Sequence, residues 1–125
     1  MSDIVIRKAA INDAEAIYQL NCDDMGYHYD LDNTTTRLSV LFSRENHCIL
    51  VATLNSSVVG YIHADNYDLI YSDPLKNIMG IAVKNSCRRM GIGRRLLNAI
   101  EVWAKADGAK GVRLVSGSNR TAAHS

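Results

Sequence analysis

Apolar positions along the chain change period several times, and each change marks an element. Ile4, Val5 and Ile6, followed by Arg7 and Lys8, predict a short strand. From Asn12 onward Ile17 and Leu20 fall at helical spacing, and Glu15 stands three residues after Asn12 as a capping-box partner, which predicts a helix. A polar, tyrosine-bearing stretch from Cys22 to Asp32 predicts a loop. Leu38, Leu41 and Phe42 form the i, i+3, i+4 stripe of a second helix, capped in the Asp32 to Thr34 region. His47 to Leu54 is a buried strand, Asn55-Ser56-Ser57 a turn, and Val58 to Ala64 the hairpin partner. Asp65 to Pro74, with the only proline, is a longer excursion before a strand at Asn77 to Val83. Ile92, Leu96, Leu97, Ile100, Trp103 and Ala104 line one face of a helix that stops at Gly108, and Val112 to Ser116 is the last strand.

The order β-α-α-β-β-β-α-β predicts an α/β fold with a mixed central sheet and flanking helices. A helix separates the fourth and fifth strands, so those two are expected to run parallel. At 125 residues and 47% hydrophobic, the chain supports one domain, residues 1–125, with a real core. Neither a repeat nor an interdomain linker interrupts it.

Charge narrows the functional classes. A formal net charge of +1 argues against a general nucleic-acid binder, whose basic face dominates the total. The charge is polarised instead: Asp13, Glu15, Asp23, Asp24, Asp30 and Asp32 crowd the first quarter, and the bases gather around Gly91. An acidic half facing a cationic substrate is one reading of this, and plain solvation of a loop and helix start is the other. Cys22, Cys48 and Cys87 have no Cys-x-x-Cys spacing, and His28, His47, His63 and His124 are scattered, so no metal is expected. The cysteine usage, the lack of a long apolar run and the unbasic start Met1-Ser2-Asp3 predict a cytoplasmic protein without membrane contact.

The chemistry concentrates between Ile78 and Leu97. An apolar strand runs into a basic loop with two spaced glycines and then into an amphipathic helix, which builds an anion site from unpaired helix N–H groups. Lys84, Arg88, Arg89, Arg94 and Arg95 bring five positive charges and no negative one, which suits a pyrophosphate. A Walker loop is excluded because Arg94-Arg95, not Lys-Ser/Thr, follows Gly93. A Rossmann fingerprint is excluded because Leu96 takes the place of the third small residue and the next strand carries no acid.

What remains, Arg-x-x-Gly-x-Gly at Arg88, Gly91 and Gly93, resembles the pyrophosphate loop of the GCN5-related N-acetyltransferases, the GNAT family. The resemblance implies the family's fold, with acetyl-CoA as co-substrate and an amine-bearing acceptor, on a small molecule or a protein. It implies that Ile81, Ala82 and Val83 hold the thioester and pantetheine arm. Arg88, Arg89, Met90, Gly91, Ile92, Gly93 and Arg94 would bind the pyrophosphate, and Asn119 would contact the cofactor. Asp23, Asp24, Tyr27 and Tyr67 would border the acceptor. Many family members use a glutamate base on the fourth or fifth strand, and neither strand here carries one. Asp65, Asp68, Asp24 and His63 are therefore the candidates for proton transfer. The family's tyrosine acid falls beyond Ser125, as do a last helix and hairpin. The resemblance thus implies a C-terminally incomplete domain. The open edge of Val112 to Ser116 and the uncovered sheet face then predict a homodimer through the C-terminal region, with Tyr61 or Tyr67 as the substitute acid if the chain turns over. Two other readings stay open: a coenzyme A-binding module without turnover, and a nucleotide-binding domain using the same basic loop.

Overall fold

The computed structural model describes residues 3–114. Strands β1 (Ile4–Lys8), β2 (His47–Leu54), β3 (Ser57–Tyr67), β4 (Leu75–Val83) and β5 (Val112–Leu114) form one sheet in sequence order, with helices α1 (Ala14–Asp24), α2 (Leu31–Phe42) and α3 (Ile92–Ala106). Neighbours from β1 to β4 are antiparallel, and β4 and β5 run parallel as their crossover helix requires. Alternation along the strands divides the core. Leu50, Ala52, Ile62, Ala64 and Ile78 face α3, which buries Ile92, Leu96, Ile100 and Ala104 along one stripe. Each of those large α3 side chains contributes roughly 1.5–3 kcal/mol of burial. Ile49, Val51, Tyr61 and Ala82 face the other way, onto Ala14, Ile17 and Leu20 of α1 and Leu38 of α2.

Several boundaries differ from the sequence reading. The start of α1 is set by Asp13 instead of Asn12, after a 3-10 turn over Ile11–Asp13. The Asp13 carboxylate accepts the Ala10 N–H at 2.7 Å, closing the 3-10 turn, and grips the Arg7 guanidinium bidentately at 2.8 and 2.9 Å, while no side chain bonds the first turn of α1. With no glycine before Gly26, α1 runs on through Asp24 into the expected loop. Asp30 caps α2, accepting the Asn33 N–H at 2.7 Å. Asn55 and Ser56 both take positive φ, and this two-residue turn lets β3 pair with β2 as far as Asp65. β3 then continues to Tyr67, so Asp65 and Tyr67 belong to a strand and not to an excursion. Residues 115–125, and with them Asn119, the end of the predicted last strand and most of the region expected to pair two copies, lie outside the described residues.

Candidate active site

β4 is irregular at its middle. His63 of β3 pairs with Gly80 and Ala64 with Ile78, so Met79 is an extra residue, a β-bulge that bends the strand and interrupts its ladder. On the opposite edge the last described pair is Ile78 with Leu114, and β4 runs on from Met79 to Val83 with no strand beside it among the described residues. The bulge bends β4 just before the basic loop. Gly80, a glycine inside a strand pattern, was the available sequence sign of the bulge.

The loop ends in a helix start without a side-chain cap. Gly91 is the N-cap of α3 with φ +77°, no acid stands in the first turn, and the first intrahelical bond closes from the Arg95 N–H to the Gly91 carbonyl. The N–H groups of Ile92, Gly93 and Arg94 are thus presented outward as an anion nest. Arg89 also has positive φ, +72°, an uncommon state for a side chain with a Cβ. A Cβ placed on Gly93 would meet only a Val83 methyl, at 4.0 Å, so the space over that glycine is open. Gly60 differs: a Cβ there would lie 3.1 Å from the Ala82 carbonyl oxygen and close to Ile92 and Leu96, and its absence lets α3 seat against β3.

These elements enclose a cleft of about 730 Å³. Ile81, Ala82, Val83, Arg88, Arg89, Gly91, Ile92, Gly93 and Arg94 all line it, while Met90 is exposed outside the lining. Asp23, Asp24 and Tyr27 line the same cleft from the end of α1. The Asp24 carboxylate accepts the Asn85 N–H at 2.9 Å, which ties the end of α1 to the loop after β4. Leu97, Asn98 and Glu101, one and two turns into α3, complete a wall that the motif did not reveal.

A second pocket, about 160 Å³, lies on the α1 and α2 face of the sheet. Ile17, Leu38, Leu41 and Ile49 form its apolar floor, and Asn21, Tyr29, Arg37, Tyr61 and His63 provide polar groups. Its lining residues neighbour those of the larger cleft along α1 and across the β3–β4 ladder. Asn21 and Tyr61 line the pocket, whereas Asp24, one turn further along α1, and Ala82, the partner of Tyr61 on β4, line the cleft. At this junction the Tyr61 hydroxyl donates to Asn21 Oδ1 at 2.5 Å, and it lies 3.5 Å from where a Cβ on Gly80 would project.

The proton-transfer candidates are scattered. His63 lines the smaller pocket, and its Nε2 is hydrogen-bonded to Nδ1 of His47 at 2.9 Å. Burial, reinforced by His47 and partly opposed by Asp65, pushes the His63 pKa down to about 4. Asp65 lines neither space: it accepts from Asn46 Nδ2 and from the Asn66 N–H, each at 2.6 Å, with His47 Nδ1 at 3.9 Å. Asp68 is exposed beyond the end of β3. Tyr67 lies beneath the Arg113 guanidinium at 3.9 Å, at the far end of β3 from the basic loop. Among the described residues no group of His, Cys, Asp or Glu could hold a metal ion, and no helix is long and apolar enough to cross a membrane.

The sequence matches the Acetyltransferase (GNAT) family over residues 14–125. No curated protein matches it significantly in sequence. Among solved structures, a GNAT family acetyltransferase from Staphylococcus aureus is 24% identical, with 95% of this chain and 90% of that one covered at a TM-score of 0.81. An aminoglycoside N-acetyltransferase in complex with CoA is 19% identical, with 98% and 83% covered at 0.85. A transcriptional regulator from Bacillus halodurans is 20% identical, with 97% and 87% covered at 0.84.

Proposed function

The chain belongs to the GNAT acetyltransferase family and is an N-acetyltransferase, and from that premise we propose that it binds acetyl-CoA in the larger cleft and an acceptor amine in the smaller pocket. The observation that carries this reading is the acid-free, uncapped start of α3 at Gly91 to Arg94, which lines one cleft with Ile81 to Val83 of β4. The residues present fit the co-substrate. The nest at Ile92, Gly93 and Arg94 suits the pyrophosphate, with Arg88 and Arg89 adding charge, and the main chain of Met79 to Val83 offers hydrogen-bonding groups to the pantetheine arm.

Acetyl-CoA supplies an activated acyl group: an N–C bond forms, the C–S bond breaks, and one proton passes from nitrogen to sulfur. An alkylammonium of pKa about 10.4 is neutral only about once in 2,500 molecules at pH 7, so the protein must favour the neutral amine. The apolar floor of the smaller pocket does so by disfavouring positive charge. His63, neutral there in the tautomer whose Nε2–H donates to His47 Nδ1, accepts a hydrogen bond from the amine at its Nδ1 and orients it. Tyr61, at the junction of the two spaces, is the proton donor on the sulfur side, its O–H turning from Asn21 Oδ1 to the departing sulfur as the C–S bond breaks. Asp24 holds the loop, and Asp23 and Tyr27 wall the cleft. The three free cysteines fit a reducing cytoplasm.

Calorimetric titration with coenzyme A, ATP and NAD, followed by thiol release from acetyl-CoA across a panel of amines, tests the reading. Selective coenzyme A binding with amine-dependent thiol release is the expected result. Binding without release from any amine would favour a coenzyme A-binding module, and preference for ATP or NAD would overturn the assignment of the cleft.

A further inference from the structure

We propose that the acceptor is an amine that also carries a carboxylate beside a small apolar group, an amino-acid-like molecule, and that Arg37 reads the carboxylate. This rests on the reading of the smaller pocket as the acceptor site and goes beyond it to the class of acceptor.

Three observations converge on that pocket. No carboxylate lines it: its polar groups are Asn21, Tyr29, Thr34, Arg37, Tyr61 and His63. The acids that the sequence places nearby are engaged elsewhere. Asp24 is bound to the Asn85 N–H, Asp30 caps α2 through Asn33, and Asp65 is held by Asn46 and the Asn66 N–H. A polycationic acceptor would find no counter-charge there. Arg37, by contrast, stands on the exposed face of α2 at the rim and makes no ion pair or hydrogen bond with any described residue. Its planar guanidinium suits a bidentate grip on a carboxylate, a geometry that a lysine ammonium does not reproduce.

Size and polarity supply the rest. An apolar cavity of roughly 150 Å³ accepts a single benzene ring, so about 160 Å³ floored by Ile17, Leu38, Leu41 and Ile49 suits a branched aliphatic or one-ring side chain. Anchoring the carboxylate at the rim leaves the adjacent amine directed inward, toward His63 and the Tyr61–Asn21 junction with the larger cleft. The environment that keeps His63 neutral also favours the neutral form of that amine.

The test compares acetyl transfer by the full chain to leucine and phenylalanine with transfer to 3-methylbutylamine and phenethylamine, which lack only the carboxylate, and to an aminoglycoside. With rates expressed per neutral amine, because the alkylamines are the more basic, the amino acids should lead their decarboxylated partners by roughly tenfold or more in kcat/KM, the scale of one lost charge-assisted contact. Arg37→Gln should remove that lead by raising KM for leucine with little change in kcat. Arg37→Lys should keep part of it, and both variants should bind coenzyme A as the wild type does, which also reports that they fold. A wild-type preference for the decarboxylated amines or the aminoglycoside, or an undiminished lead in Arg37→Gln, would overturn the inference while leaving acetyl transfer standing. Coenzyme A binding with no turnover of any amine would overturn the acetyl-transfer reading, and this inference with it.

Discussion

The Tyr61 hydroxyl and the Asn21 side-chain oxygen meet at 2.5 Å where β3 passes under α1, and their bond stands between the two spaces that the chemistry must connect. Residues forty positions apart thus join the sheet to the helix at the point where the amine and the acyl group would approach each other.

Tyr61→Phe separates the structural part of that bond from its chemical part. Losing one such hydrogen bond lowers stability by about 1 kcal/mol, whereas removing a proton donor lowers kcat by roughly 10²-fold or more. Thermal unfolding together with steady-state kinetics should show a modest fall in Tm, a large fall in kcat and a nearly constant KM for acetyl-CoA. An unchanged kcat would leave Tyr61 as a strut between β3 and α1.

The two glycines of the basic loop should respond differently to substitution. Gly91 holds φ +77°, so Gly91→Ala strains the backbone by about 1–2 kcal/mol and weakens both stability and coenzyme A binding. Over Gly93 there is room for a Cβ, and an alanine in a helix is about 1 kcal/mol more favourable than glycine. Gly93→Ala should therefore keep or raise Tm while weakening coenzyme A by about tenfold, because the methyl occupies the approach to the nest. Calorimetric titration beside a melting curve checks both. Normal coenzyme A affinity in Gly93→Ala would mean that the pyrophosphate does not approach that glycine.

What the sequence made legible was local. The stripe Ile92, Leu96, Ile100 and Ala104 is buried as its spacing requires, and the strand, loop and helix around Gly91 and Gly93 come together because they are contiguous. The second pocket was not legible, since Arg37, His63 and Asn21 meet only when α1 and α2 pack on β3. The bulge at Met79 is a property of two strands in register, and Gly80 alone hinted at it. The cap of α1 was misplaced because Asn12 and Glu15 satisfy the local pattern, whereas Asp13 gains Arg7, a partner from β1 that the helix signal does not include. The acids of the first quarter admitted two readings, a substrate surface or plain solvation, and neither included the specific partners that Asp13, Asp24 and Asp30 have in the fold.

The ion pair of Asp13 predicts an acid-dependent loss of stability. Arg7 beside it, with the Ala10 N–H, holds the Asp13 carboxyl below the usual carboxylate range despite burial. The folded pKa lies below the unfolded value near 3.8, so this contribution is present above pH 4 and disappears as pH falls through the folded pKa. Asp13→Asn should be destabilising by about 1–3 kcal/mol at pH 7 and nearly neutral at the acid end, as read by urea unfolding at both. Equal effects at the two pH values would mean that the cap alone, without the charge, sets the helix start.

His63 gives a second pH dependence, in a higher window and from the opposite kind of group. Its pKa is near 6.5 in the unfolded chain and about 4 in the folded protein, because burial and the neighbouring His47 both oppose the imidazolium. Protonation therefore favours unfolding. Stability is complete above pH 6.5, falls as pH drops from 6.5 toward 4, and below that window has lost about 3 kcal/mol from this residue. His63→Gln has no titrating group at this position, so the difference in unfolding free energy between wild type and variant should be flat above pH 6.5 and swing toward the variant between pH 6.5 and 4. The same window bears on function: the hydrogen bond that the neutral ring accepts from the amine persists down to about pH 4, so the wild-type kcat should not drop at pH 6.5 as it would for an ordinary histidine. A kcat that halves near pH 6.5 in wild type and loses that dependence in His63→Gln would show that His63 titrates as an exposed imidazole and that the pocket is wetter than its apolar floor implies.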